Sequence, residues 1–179
     1  MDKDFAYKII DKAQYGVVSM TDGDEPYGLP LSVVRNGDLL YFHSAKEGRK
    51  VDILGKNPNI SVVFVGDKNI PDNYSYDELE EMNSDPTKAI NFISSVFTTE
   101  FESTIVRGKV EEVEDKGEKI KAMRTICEKY PPDKMKYFLS AITAGLHRTQ
   151  VYKIKIEDIT SKRKKYDDKG VEMKWARME

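Results

Sequence analysis

The stretch Leu39 to Val65, LLYFHSAKEGRKVDILGKNPNISVVFV, decides how this chain is read. Leu39 to Phe42 is an apolar and aromatic run and Ile60 to Val65 is rich in β-branched residues, so both suit strands. Between them Val51, Ile53 and Leu54 mark the apolar side of a short helix, which Asn57-Pro58 stops. Ser44-Ala45-Lys46-Glu47 has capping-box spacing, which predicts a helix start with free backbone N–H groups just before Gly48, Arg49 and Lys50. A strand end, a helix N-terminus and two cations make an anion-binding corner. A phosphate is the expected ligand.

Working outward, Phe5 to Ala13 reads as an amphipathic helix, Tyr15 to Met20 as a strand, and Thr21 to Asp24 as a hairpin turn. Gly28 to Arg35 returns as a second strand, and Asn36-Gly37 is a strong two-residue turn into the Leu39 strand. Phe101 to Val113 is a long strand with Gly108 at a bulge or bend, and Val151 to Ile156 alternates as a half-exposed strand should. Lys116 to Tyr130 is a helix ended by Pro131-Pro132, and Asp133 to Ala144 a further helix closed by Gly145. Six or so antiparallel strands with sparse helices predict a mainly β fold, a β-barrel with peripheral helices.

Composition narrows the functional classes. A chain of 179 residues, 39% hydrophobic and 34% charged, has the make-up of one globular domain with a core. No apolar run approaches the roughly 20 residues of a membrane-crossing helix, and MDKDFAYKIIDKA lacks a signal-peptide core, so a cytoplasmic protein is expected. Cys127 is the single cysteine, and it falls on the apolar side of its helix as a structural residue. With only His43 and His147 beside it, a zinc site is not expected. A net charge of −2 and no reading motif argue against nucleic acid as a partner.

The run YFHSAKEGRK, the NP before the Val-rich strand, the earlier YGVVSMTDGDEPYGLPLSVV and the later EFESTIVRGKVEEVED and GLHRTQVYKIKIEDITSK resemble the pyridoxamine 5'-phosphate oxidase-like flavoproteins. The branch they look most like is that of the nitroimidazole-resistance proteins. The resemblance spans about Tyr15 to Lys162 and implies an FMN-binding split barrel that forms a homodimer, with FMN in a cleft between subunits. It places Arg49 and Lys50 at the FMN phosphate, with Ser44 shared between that phosphate and the helix cap. It sets Pro30, Leu31, Ser32 and Val33 along the flavin ring, and Phe42 and His43 against the ring and ribityl chain. His147 and Arg148 would line the cleft from the partner chain or form a structural salt bridge. His43 is the candidate catalytic residue, since a histidine beside a flavin suits proton donation as hydride leaves; the alternative is a hydrogen-bonded, half-buried histidine.

The expected organisation is one domain over residues 1–162, with a helical insertion at about 67–96, and a C-terminal tail at 163–179. The insertion, with helical content at Tyr76 to Met82 and Thr87 to Ser95, departs from the resembled family. It reads as a lid over the flavin cleft, or as surface or dimer-edge packing. In the tail SKRKKYDDKG is a solvated basic run, and Val171, Met173 and Trp175 alternate as an edge strand would. Two functions follow. One is an FMN-dependent oxidoreductase passing electrons to a small nitroaromatic or quinone-like acceptor. The other is a flavin- or haem-binding module without turnover. No glycine-rich dinucleotide fingerprint follows a strand, so NAD(P)H as donor would bind only transiently.

Overall fold

The computed structural model describes residues 3–88, 90, 92–167 and 171–173. Its centre is an antiparallel sheet of β1 (Gly16–Asp22), β2 (Glu25–Leu31), β3 (Val34–Asn36), β4 (Leu39–Ala45), β5 (Asn59–Asn69), β6 (Glu100–Glu112) and β7 (Thr149–Lys164), in the order β2-β1-β5-β6-β7-β4-β3. The two edge strands, β2 and β3, are consecutive in the chain and are joined by Ser32 and Val33 alone. Three Cα steps reach at most about 11 Å, whereas six strand spacings in a flat sheet would part the edges by roughly 29 Å. The sheet must therefore be rolled up, and its seam is closed by covalent chain rather than by a β2–β3 ladder. This is the split barrel that the sequence implies.

Strict alternation fills the barrel. Val18, Val62, Phe64, Val106 and Ile154 are fully buried on the inner face, and α1 (Lys3–Lys12) adds Phe5, Ile9 and Ile10 to the same cluster. β4 is covered on both sides, which is why LLYF is a continuous apolar run rather than an alternating one. Leu40 and Phe42 enter the barrel, while Tyr41 packs outside it with Val34, Val151 and Ile126 of α4 (Lys116–Lys129). α2 (Arg49–Lys56) buries Ile53 and Leu54 against the barrel, α3 (Tyr76–Ser84) lies in the β5–β6 connection, and α5 (Phe138–Gly145) follows α4. At Gly108 the β6–β7 register shifts, and a Cβ there would stand 2.2 Å from the Lys155 carbonyl oxygen, so the bend needs glycine. Among the described residues no helix is long and apolar enough to cross a membrane.

Several local expectations are corrected. Gly28 to Arg35 is not one strand: it breaks at Ser32 and Val33, where the chain changes from one sheet edge to the other. β4 runs on to Ala45, so Ser44 caps no helix; Gly48 is the N-cap of α2, with φ 115° and no side-chain cap. The last strand extends from Thr149 to Lys164 rather than ending at Ile156. Its basic end is ladder rather than solvated run, Lys164 opposing Phe101. Asp133 to Ala144 divides into a 3₁₀ turn, Pro132–Tyr137, and α5; Thr87 to Ser95 gives a π-helical turn at Phe92–Val96. Tyr166 and Glu172 form an isolated bridge and Met173 is buried. Trp175 lies outside the described residues.

Candidate functional site

The corner between β4 and α2 brings three of the expected residues together but gives them different surroundings. His43, on β4 opposite Val151, is half-buried, and its Nδ1 is buried with no hydrogen-bond partner among the described residues. Burial pushes its pKa below the usual 6.5, and the Lys50 charge pushes the same way, so the imidazole is neutral near pH 7. Lys50, in the first turn of α2, is half-buried too, and burial lowers its pKa from the usual 10.5. Among the described residues no carboxylate lies within ion-pair distance of it. Gly48 has no side chain to cap the helix, and the Val51 N–H is taken by the Gly48 carbonyl at 2.8 Å, so the Arg49 and Lys50 N–H groups are the ones left for another acceptor.

Arg49 is placed otherwise. Its Nη2 donates to Glu25 Oε2 at 2.7 Å, its Nε lies 3.7 Å from Asp22 Oδ2, and its guanidinium stands 4.9 Å from the centroid of the Tyr27 ring. The β1–β2 hairpin therefore already balances its charge. Ser44 is turned inward, donating to the Ala45 carbonyl at 2.5 Å and sharing a side-chain hydrogen bond with Tyr152. Of the two cations expected at the phosphate, Lys50 is thus the one that an anion would meet unpaired.

The strand wall offers backbone more than side chains. Pro30 is exposed on edge strand β2, Leu31 packs on the core, and Val33 is fully buried. Phe42 is fully buried and stacked on Tyr152 at 5.0 Å, so a ligand there could meet only its backbone. β3 opposes β4 with Val34 across from Tyr41, and continuing that register brings Ser32 to the level of His43. The crossover is held from behind by the end of α4: the Tyr130 hydroxyl donates to the Val33 carbonyl at 3.1 Å and also bonds Ser32, while Lys129 Nζ donates to the Val33 carbonyl at 3.5 Å and to the Ile10 carbonyl at 3.0 Å. His147 and Arg148 are exposed in a 3₁₀ turn that leads into Thr149, opposite Ala45 at the same end of the barrel. Cys127 is half-buried and burial raises its pKa, as a structural thiol requires.

Sequence reasoning missed the partners of these residues. Asp22, Glu25 and Tyr27 hold Arg49, and Lys129 and Tyr130 hold the crossover; each lies on another element, and no local pattern marks it. No group of three or more potential metal ligands occurs among the described residues.

Comparison with known proteins decides the family. The profile described as pyridoxamine 5'-phosphate oxidase matches residues 2–163. The chain belongs to this family. No curated protein is significantly similar. Among solved structures, a Bacteroides thetaiotaomicron protein assigned provisionally to 5-nitroimidazole antibiotic resistance is 26% identical with a TM-score of 0.67, covering 89% of this chain and 82% of its own. The flavocytochrome Anf3 of Azotobacter vinelandii has a TM-score of 0.68 at 18% identity, covering 94% and 72%. A FAD and heme binding protein of Mycobacterium smegmatis has a TM-score of 0.68 at 13% identity, covering 90% and 71%. The last two show the fold alone.

Proposed function

We propose that this family member is a homodimeric FMN-dependent oxidoreductase that reduces a small nitroaromatic or quinone-like acceptor. The observation that carries the reading is the β4–α2 corner. An unpaired, half-buried lysine beside an uncapped helix start fits a phosphate, and an orphaned, buried His43 Nδ1 fits a polar group of a ligand. When bound, FMN supplies the two-electron chemistry that no side chain here can provide. Lys50 and the first-turn N–H groups would hold its phosphate, the Ser32–Val33 crossover would line its ring, and α4 would keep that crossover rigid. His43, neutral near pH 7, carries one ring proton, so it can donate a hydrogen bond to an acceptor poised at the ring. His147 and Arg148, exposed at the same end, are free to approach the cleft of a second copy, and NAD(P)H is the expected electron donor.

Titration of the apoprotein with FMN, FAD and riboflavin tests the reading. FMN is expected to bind far more tightly than riboflavin, because the phosphate is the recognised group. Equal affinities would remove the phosphate from this corner, tighter FAD would change the cofactor, and a Soret band in the purified protein would replace flavin by haem. Stopped-flow oxidation of the pre-reduced protein then separates enzyme from binding module. His43→Gln is expected to slow proton-requiring acceptors by on the order of a hundredfold while leaving FMN bound.

A further inference from the structure

The β5–β6 connection leaves and re-enters the sheet at neighbouring points. Asn69 opposes Glu100 in the ladder, and its Nδ2 donates to Glu100 Oε2 at 3.0 Å. A two-residue turn would close such a hairpin. The chain instead uses residues 70–99 for an arm holding α3 and the π-helical turn. Ser75 and Glu78 cap α3 reciprocally, so the arm has structure of its own.

The make-up of the arm is that of a covered surface. It carries Asp72, Asp77, Glu78, Glu80, Glu81 and Asp85 against Lys88 alone, a net −5 in a chain of net −2, so the remainder is +3. Among the described residues its one salt bridge is internal, Lys88 to Glu81 at 2.6 Å. Tyr76 is 88% exposed, Phe97 80% and Ile93 66%, an excess of bare apolar area that marks an interaction site.

The matching surface lies on the outside of the barrel. Val17, Val63 and Ile105 oppose one another across β1, β5 and β6, all with outward side chains; Val65 follows on β5 at 49% exposed. Lys162, whose Nζ stands 4.9 Å from the centroid of the Phe101 ring, lies at one margin of this patch opposite Ser103, and Arg107, opposite Asp158, at the other. Within one chain Val17 and Val63 are half-buried, while Val65 and Ile105, at 39%, stay exposed as the apolar residues of the arm do. A two-fold exchange of arms would cover both surfaces at once.

We propose that the arm of each subunit lies across the outward face of β1, β5 and β6 of a second copy of this chain, with its acidic residues toward Lys162 and Arg107. This rests on the two-copy reading above. The test is sedimentation equilibrium of the FMN-loaded protein over a concentration series at low and high salt. Two variants are compared with the wild type: one with residues 70–99 replaced by Asn-Gly between Asn69 and Glu100, and the full-length Tyr76→Ser, Phe97→Ser pair. The excised protein is expected to keep its far-ultraviolet dichroism and to dimerise about 100-fold more weakly, and the pair about 10-fold more weakly. Added salt should weaken the wild-type dimer and leave the excised one unmoved. A folded, excised protein that dimerises as tightly as the wild type overturns the inference; if excision prevents folding, an unchanged dissociation constant in the paired variant does so. A wild type that binds FMN as a monomer removes the two-copy reading and the arm together, whereas a flavin-free dimer that needs its arm removes only the flavin.

Discussion

Two places on this barrel are rich in cations, and they are built in opposite ways. The lip between α1, β5, β6 and β7 gathers Lys12, Lys68, Lys164 and Lys165, but Asp67, Glu100 and Glu102 stand among them. Lys12 bridges Asp67 and Glu102, and the hydrogen bond to Asp67 leads in raising its pKa above 10.5. At the β4–α2 corner no carboxylate among the described residues lies within ion-pair distance of Lys50, and burial drives its pKa down. Number of charges does not mark a ligand site. A charge that folding has removed from water without giving it a partner does, because only a ligand restores what was lost.

The comparison is most sharply broken by removing the charge at Lys50. Lys50→Met should weaken FMN by roughly 10- to 100-fold, since charge-assisted hydrogen bonds contribute about 1.5 to 3 kcal/mol, and should leave riboflavin affinity unchanged. The same substitution should stabilise the apoprotein, because the unpaired cation costs folding free energy. The sign of the pH dependence follows. The folded lysine gives up its proton more readily than the unfolded one, so the stability advantage of Lys50→Met over the wild type should shrink as pH rises through the folded pKa toward 10.5. A destabilised Lys50→Met apoprotein in urea melts would show that Lys50 is a structural cation.

Arg49→Ala should cost FMN only a few-fold, as its guanidinium is shared with Glu25 and Asp22. Glu25→Gln should recover part of the difference by releasing it, and titration of both variants measures this. His43→Gln should act on acid stability. As pH falls from 6.5 toward the folded pKa, the unfolded histidine takes a proton that the folded one refuses, so wild-type apoprotein loses stability there and the variant should lose less. Parallel melting curves from pH 7 to 5 would remove that role. Smallest of all, Lys12→Met should cost under about 1 kcal/mol, its side chain being half exposed and solvent-screened, and should not touch FMN affinity.

The turns and the helix spacing were legible because their causes are local. Gly23 and Gly37 take the positive φ that the two hairpins need, and Ile53 and Leu54 bury as their spacing predicts. The break at Ser32 was illegible, since its neighbours keep strand-forming side chains and the break is imposed by closing the barrel. Lys162 and Lys164 concealed a strand because charged residues are tolerated wherever a ladder faces water. The β4–α2 corner was read from residue types, whereas the division of labour between Arg49 and Lys50 depends on Glu25, which only the fold brings near. The shared family adds the flavin reading to these residues and leaves their surroundings to the structure.

β7 has a consequence for biosynthesis. β3 and β4 join the rest of the sheet only through β7, which pairs with β4 along Thr149 to Lys155 and with β6 along Tyr152 to Lys164. A nascent chain that has not yet released β7 can assemble β2, β1, β5 and β6, but its early β3–β4 hairpin has no strand to join and β6 presents a bare edge. Such distant pairing is slow to form. The β4–α2 corner, whose first wall precedes β7 in the chain, is therefore completed only once β7 has joined β4, and until then the half-finished sheet keeps β6 as an open edge.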